Sequence, residues 1–98
     1  MLKRVVNKYA VESDEGFMVD RTGTSFTEAI MRYHEGPRVL ELVLDYMEAS
    51  AATPIEVKYI TNWNPPYEKE ALSIEKRVEI ASRICDAMKF LGDKCYVV

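Results

Sequence analysis

The segment RVLELVLDYM, residues 38–47, constrains the fold of this chain more tightly than any other. Val39, Leu40, Leu42, Val43, Leu44, Tyr46 and Met47 crowd into it, and only Glu41, Asp45 and Glu48 interrupt the apolar run. The acids are spaced by four and then three, so in a helix all of them fall on one narrow stripe. Pro37 suits the first turn of such a helix, where a missing N–H costs nothing. The remaining apolar arc is much wider than the roughly 100° that a surface helix needs to cover one core. The pattern therefore predicts a helix that is either enclosed centrally or covered by a second subunit. Val39, Leu40, Val43, Leu44 and Met47 are the expected oligomer interface of a homodimer.

The flanking patterns predict the other elements. Residues 2–12 read as a strand, SDEG at 13–16 as a turn, and FMVD at 17–20 as the return strand of a hairpin. Ser25 and Glu28 have capping-box spacing, and Phe26, Ile30 and Tyr33 then share a helical face up to Gly36-Pro37. Ile55, Val57 and Tyr59 alternate with Glu56 and Lys58 in PIEVKYIT, the pattern of a half-buried strand. From Ser73, Ile74, Val78, Ala81, Ile84, Cys85, Met88 and Leu91 step by threes and fours along a helix. Tyr67 and Ala71 extend that face back towards Pro66, and Gly92 stands where a left-handed cap belongs. KCYVV completes the chain as a strand. The expected fold is α+β, in the order β-β-α-α-β-α-β. It has a sheet of about four strands, mixed or antiparallel, with three helices packed mainly on one face. A parallel final strand pair would make the last helix a crossover connection.

The 98 residues suit one domain, spanning residues 1–98. A hydrophobic fraction of 48% and a charged fraction of 30% are those of a globular chain rather than a disordered one. No apolar run approaches the roughly 20 residues needed to cross a bilayer. The N-terminal stretch lacks the apolar core of a signal peptide, so the expected location is cytoplasmic, without membrane attachment. The net charge of −3 is spread among interspersed acids and bases, and neither a nucleic-acid-binding face nor a polyanion mimic is expected. Cys85 and Cys95 lack metal-site spacing and read as buried thiols in a reducing compartment. With His34 as the single histidine, neither a metal nor a cofactor is expected.

Two stretches are candidates for binding. TNWNPPY, residues 61–67, holds the single tryptophan in a stiff proline-containing step. Asn62, Trp63, Asn64 and Tyr67 are therefore the expected partner-binding residues, because rigid aromatics anchor interfaces at low entropic cost. On that reading Trp63→Ala weakens binding and costs little stability; if Trp63 is instead a lid on the sheet, the cost is large. In DRTGTS, Arg21, Thr22, Thr24 and Ser25 surround a glycine before the expected capped helix, a place where backbone N–H groups and Arg21 can hold an anion. The motif lacks the GK[ST] of a phosphate-binding loop. His34 beside Glu35 does not make an acid–base pair on a helix, and the Glu41, Asp45, Glu48 stripe reads as a solvated face.

These features favour a small non-catalytic interaction protein, a regulator, inhibitor or adaptor that acts as a homo-oligomer on another protein. Its size and lack of motifs suit a phage or mobile-element product that blocks a host protein. The alternative is an oligomeric binder of a small anionic ligand such as a nucleotide. An enzyme without recognisable motifs is the weaker alternative, since catalysis needs several groups in mutual reach.

Overall fold

The computed structural model describes residues 1–6, 8–24, 28–45 and 52–98. Its centre is an antiparallel sheet built from β1 (Leu2–Arg4), β2 (Ala10–Ser13), β3 (Phe17–Thr24), β4 (Glu28–Glu35) and β5 (Arg38–Asp45). Each strand lies beside its neighbour in sequence, giving a five-stranded meander in the order β1-β2-β3-β4-β5. A second, two-stranded parallel sheet joins β6 (Thr53–Ile55) to β7 (Cys95–Val97). Between them lie a 3-10 turn, Val57–Tyr59, and the helix α1 (Ile74–Phe90).

The α+β class expected from sequence holds, but the element count does not. The helices expected after Ser25 and after Pro37 are the strands β4 and β5, the single strand expected over residues 2–12 is two, β1 and β2, and the last two expected strands form a sheet of their own. The large sheet therefore has five strands, and the described residues contain one α-helix. The cause is a period-two pattern concealed by apolar residues on both faces. Along β5, Leu40, Leu42 and Leu44 are buried, whereas Glu41 and Val43 are exposed and Val39 is half-buried. Along β4, Ala29, Met31 and Tyr33 are buried and alternate with the half-buried Ile30, Arg32 and His34. A strand can bury each of these inward sets without a second subunit.

Gly36-Pro37 ends no helix; it is the two-residue loop of the β4–β5 hairpin. Glu35 pairs with Arg38, and Gly36 has φ +60°. Glycine at the first loop position suits the mirror-image turns that match strand twist, and proline follows with its fixed negative φ.

β6 is shorter than the alternation over residues 54–61 predicts. The strand ends at Ile55, one further backbone bond runs from the Val57 N–H to the Val98 carbonyl (3.0 Å), and the chain tightens into the 3-10 turn before Ile60 returns to the core. The last helix matches its sequence signals closely. The Ser73 side chain accepts from the Lys76 amide at 3.1 Å, capping the first turn. At the other end the Gly92 N–H donates to the Lys89 carbonyl (3.0 Å) and the Asp93 N–H to the Met88 carbonyl (2.9 Å). These two bonds make a Schellman motif, which requires the positive φ of Gly92, +96°. The turns at 65–70 precede α1, so it does not extend back to Tyr67.

α1 buries Ile80, Ala81, Ile84, Ala87 and Met88 in one cluster with Val11, Val19, Met31, Tyr33 and Leu40 from the sheet. The described helix covers one face of the meander; the other carries Asp20, Arg32 and His34. Arg32 Nη2 reaches Asp20 Oδ2 at 2.7 Å, and His34 Nε2 lies 3.1 Å from Asp20 Oδ1. Burial penalises the Asp20 charge, but the bonds from Arg32 and His34 outweigh it and hold the carboxyl below its usual range.

Candidate functional site

The two ends of β5 differ in what borders them. At the Val39 end the chain has closed its own edge. The Asn64 amide donates to the Val39 carbonyl at 2.7 Å, and Asn64 Nδ2 donates to Glu41 Oε1 at 3.2 Å. The loop 61–67, whose Pro65–Pro66 bond is cis, therefore lies along the first half of the strand.

Trp63 points inward from that loop and is only 5% exposed. Its ring stacks on Tyr33 at 6.2 Å between centroids, and Tyr33 stacks on Phe17 at 5.8 Å. The Tyr33 hydroxyl accepts from Arg83 Nη1 (2.8 Å) and donates to Glu35 Oε2 (3.0 Å). Lys76 Nζ holds the other Glu35 oxygen at 2.7 Å, and Arg83 also pairs with Glu79 at 2.8 Å. Burial, with the Glu35 charge adding to it, pushes the Tyr33 phenol up to about 12. For Glu35, burial opposes ionisation, but the bonds from Lys76 and Tyr33 prevail and lower its pKa.

The rigid step proposed as an anchor thus positions its tryptophan as a lid, correcting the expectation of an exposed ring. Tyr67 is half-buried with Arg38 over its ring at 4.5 Å, and Arg38 grips the Glu70 carboxylate in bonds of 2.7–2.9 Å. The exposed Asn62 donates to the Glu68 carbonyl. A cleft of about 300 Å³ lies here, lined by Glu35, Arg38, Trp63, Glu70, Leu72 and Lys76 among others. The charges of Glu35, Arg38, Glu70 and Lys76 are already paired within it.

The expected anion site loses its structural basis. Arg21 and Thr22 lie within β3, and the segment from Glu28 onward is a strand, so no helix start faces them. Arg21 lies over the Tyr9 ring at 3.8 Å. Ser25 and the Thr24 side chain lie outside the described residues. The expected interface divides similarly: Leu40 and Leu44 are buried by their own chain, Val39 is half-buried, Val43 is exposed, and Met47 lies outside the described residues. His34 is not at a helix end but on the outer sheet face, opposite in direction to its neighbour Glu35. Cys85 and Cys95 are buried free thiols, their sulfurs 2.9 Å apart, and burial pushes Cys95 up to about 12.

The Val43 end of β5 is different. The Glu35–Arg38 pair closes a two-residue hairpin, so the N–H and C=O groups of Val39, Glu41 and Val43 point away from β4. Asn64 takes the Val39 carbonyl, but no described residue forms a ladder with Glu41 or Val43 on that side. Val43 is 54% exposed. Beside it runs a groove of about 510 Å³ lined by Glu41, Leu42, Val43, Leu44, Pro54, Glu56 and Tyr59. Tyr59 is 57% exposed. The groove thus combines backbone groups that no described residue pairs, an apolar floor and carboxylates, the ingredients for gripping an extended chain. Sequence reasoning missed it because the residues were assigned to a helix. The signal was present in the Leu-Glu-Leu alternation at 40–42.

No helix among the described residues is long and apolar enough to cross a membrane, and they contain no cluster of potential metal ligands. Comparisons with protein-family models, curated proteins and solved structures find no match for this chain.

Proposed function

We propose that this chain is an interaction protein, a regulator, inhibitor or adaptor that acts by occupying another protein rather than by catalysis. The observation that carries the reading is the half of β5 that no described residue pairs, with exposed Val43 and Tyr59 lining one groove. Small proteins ordinarily blunt or cover such edges, because an unpaired strand recruits other chains. An edge that the chain closes at Val39, and that no described residue pairs at Val43, is where the partner binds on this reading.

The roles of the polar groups support the same reading. Tyr33, Glu35, Lys76, Arg83 and Glu79 form one ion-paired network joining α1 to the sheet, which is an architectural use of titratable side chains. Self-association, expected alongside a different protein partner, was argued from an over-wide apolar helix. That segment is a strand, so the helix argument falls away and the proposal here rests on the different protein.

The test is recovery of tagged protein from its native cells, followed by measurement of complex mass by light scattering. The expected result is a stoichiometric complex formed by the wild type and lost in Val43→Pro, with circular dichroism showing that the variant is folded. Equal recovery by both proteins would remove the β5 edge from the proposal.

A further inference from the structure

We infer that the groove beside β5 takes a basic extended segment of a partner protein, added antiparallel as a sixth strand of the meander. This rests on the interaction reading above and specifies the chemistry of the partner.

Backbone geometry supplies the first argument. Glu41 and Val43 direct their N–H and C=O groups into the groove, so an added strand would form hydrogen-bonded pairs with them. Asn64 already demonstrates the contact, since it meets the outward carbonyl of Val39 from the same side.

Side-chain alternation gives the second. A residue of the added strand opposite Leu42 points to the inner side of the sheet, where Leu42, Leu44, Pro54 and Tyr59 provide apolar lining. Its neighbours opposite Glu41 and Val43 lie on the outer face. There Glu41, which faces Arg32 across the β4–β5 ladder and accepts from Asn64 Nδ2 but has no salt bridge of its own among the described residues, favours lysine or arginine. Glu56 adds a second carboxylate to the groove, only weakly offset by exposed Lys58 at 3.6 Å.

Charge also argues against a second copy as the occupant. Consider antiparallel self-pairing of β5 with both Glu41 and Val43 opposite residues of the same strand. Glu41 then falls opposite its own symmetry mate, opposite Asp45, or opposite Val43 with acids on both diagonals. Like charges in those positions destabilise a sheet pair. The acid therefore blocks self-pairing while selecting a basic partner.

The probe is a blocked, fluorescently labelled peptide with the core Lys-Ile-Val-Ile-Lys between serines, titrated against the intact protein by anisotropy. The lysine core should bind at least tenfold more tightly than its Glu-Ile-Val-Ile-Glu counterpart. Glu41→Lys should reverse that order. N-methylation of the central valine and second lysine, whose amides face β5, should weaken binding at least tenfold; N-methylation of the isoleucines should leave it nearly unchanged. Binding indifferent to N-methylation would mean charge attraction alone and overturn strand addition. Absence of binding would overturn it as well, as would a wild-type dimer in sedimentation that dissociates in Val43→Lys. If the native complex still requires Val43 while neither peptide binds, the interaction reading survives and this inference fails.

Discussion

The two halves of β5 share a strand, a hairpin and a core, yet the chain treats them in opposite ways. The Val39 half is closed by Asn64 and backed by Trp63, whereas the Val43 half borders an open groove. Closure draws on a rigid loop, stacked rings and a charge network that spans the sheet and α1. The contrast teaches that exposure on this molecule is local: the aromatic most suited to be an anchor is used for structure, and an ordinary valine marks the accessible edge.

The comparison breaks most readily through Trp63. Trp63→Ala empties a site between Tyr33 and the loop, and should destabilise the fold by about 3–5 kcal/mol, measured by denaturant unfolding. A loss below about 1 kcal/mol would mean that the closed half is not held by its ring. Tyr33→Phe keeps the stack but leaves Arg83 and Glu35 without the hydroxyl, and should cost about 1–3 kcal/mol in the same assay. Val43→Ser in the open half should change stability by no more than about 0.5 kcal/mol, because an exposed side chain has little packing to lose. A larger penalty would show that the edge is covered.

Acid sharpens the contrast further. Asp20 and Glu35 have pKa values lowered in the folded protein. Their contribution is present above the ordinary carboxylate range and is lost as pH falls through the folded values. Asp93 is shifted upward by burial, so its contribution runs the other way, fading as pH rises. Urea midpoints should therefore fall on acidification below the carboxylate range, and Glu35→Gln should flatten that fall. An unchanged slope in the variant would remove Glu35 from the acid response.

How much was legible from sequence follows from where each element gets its information. α1 was readable because Ser73, the apolar three-and-four spacing and Gly92 all act locally. The stretch 2–12, read as one strand, is two antiparallel strands, β1 and β2, but the β2–β3 hairpin was readable for the same reason, from the turn residues at 13–16. β4 and β5 were not, since Ile30, Val39 and Val43 add apolar residues on the outer face and give a strand the apparent density of a buried helix. Phe26, Ile30 and Tyr33 fit helical spacing as well, and the choice between periods falls to pairing with β3, which is a long-range fact. At the candidate site, the sequence drew attention to Trp63, but the direction of its ring depends on Tyr33, distant in sequence. The groove was invisible because it is formed only when β5 lies beside Pro54 and Tyr59.

The meander has a kinetic corollary. Every strand in the large sheet pairs with the one made just before it, so each closure spans a short loop and carries little entropic penalty. The parallel partnership of β6 with β7 must instead wait for the whole of α1 and the end of the chain. Refolding should accordingly be faster than that of sandwich proteins dominated by distant pairings, and stopped-flow tryptophan fluorescence would measure it. Trp63, emerging after the sheet and pressing on Tyr33 of β4, would report when the late segment arrives.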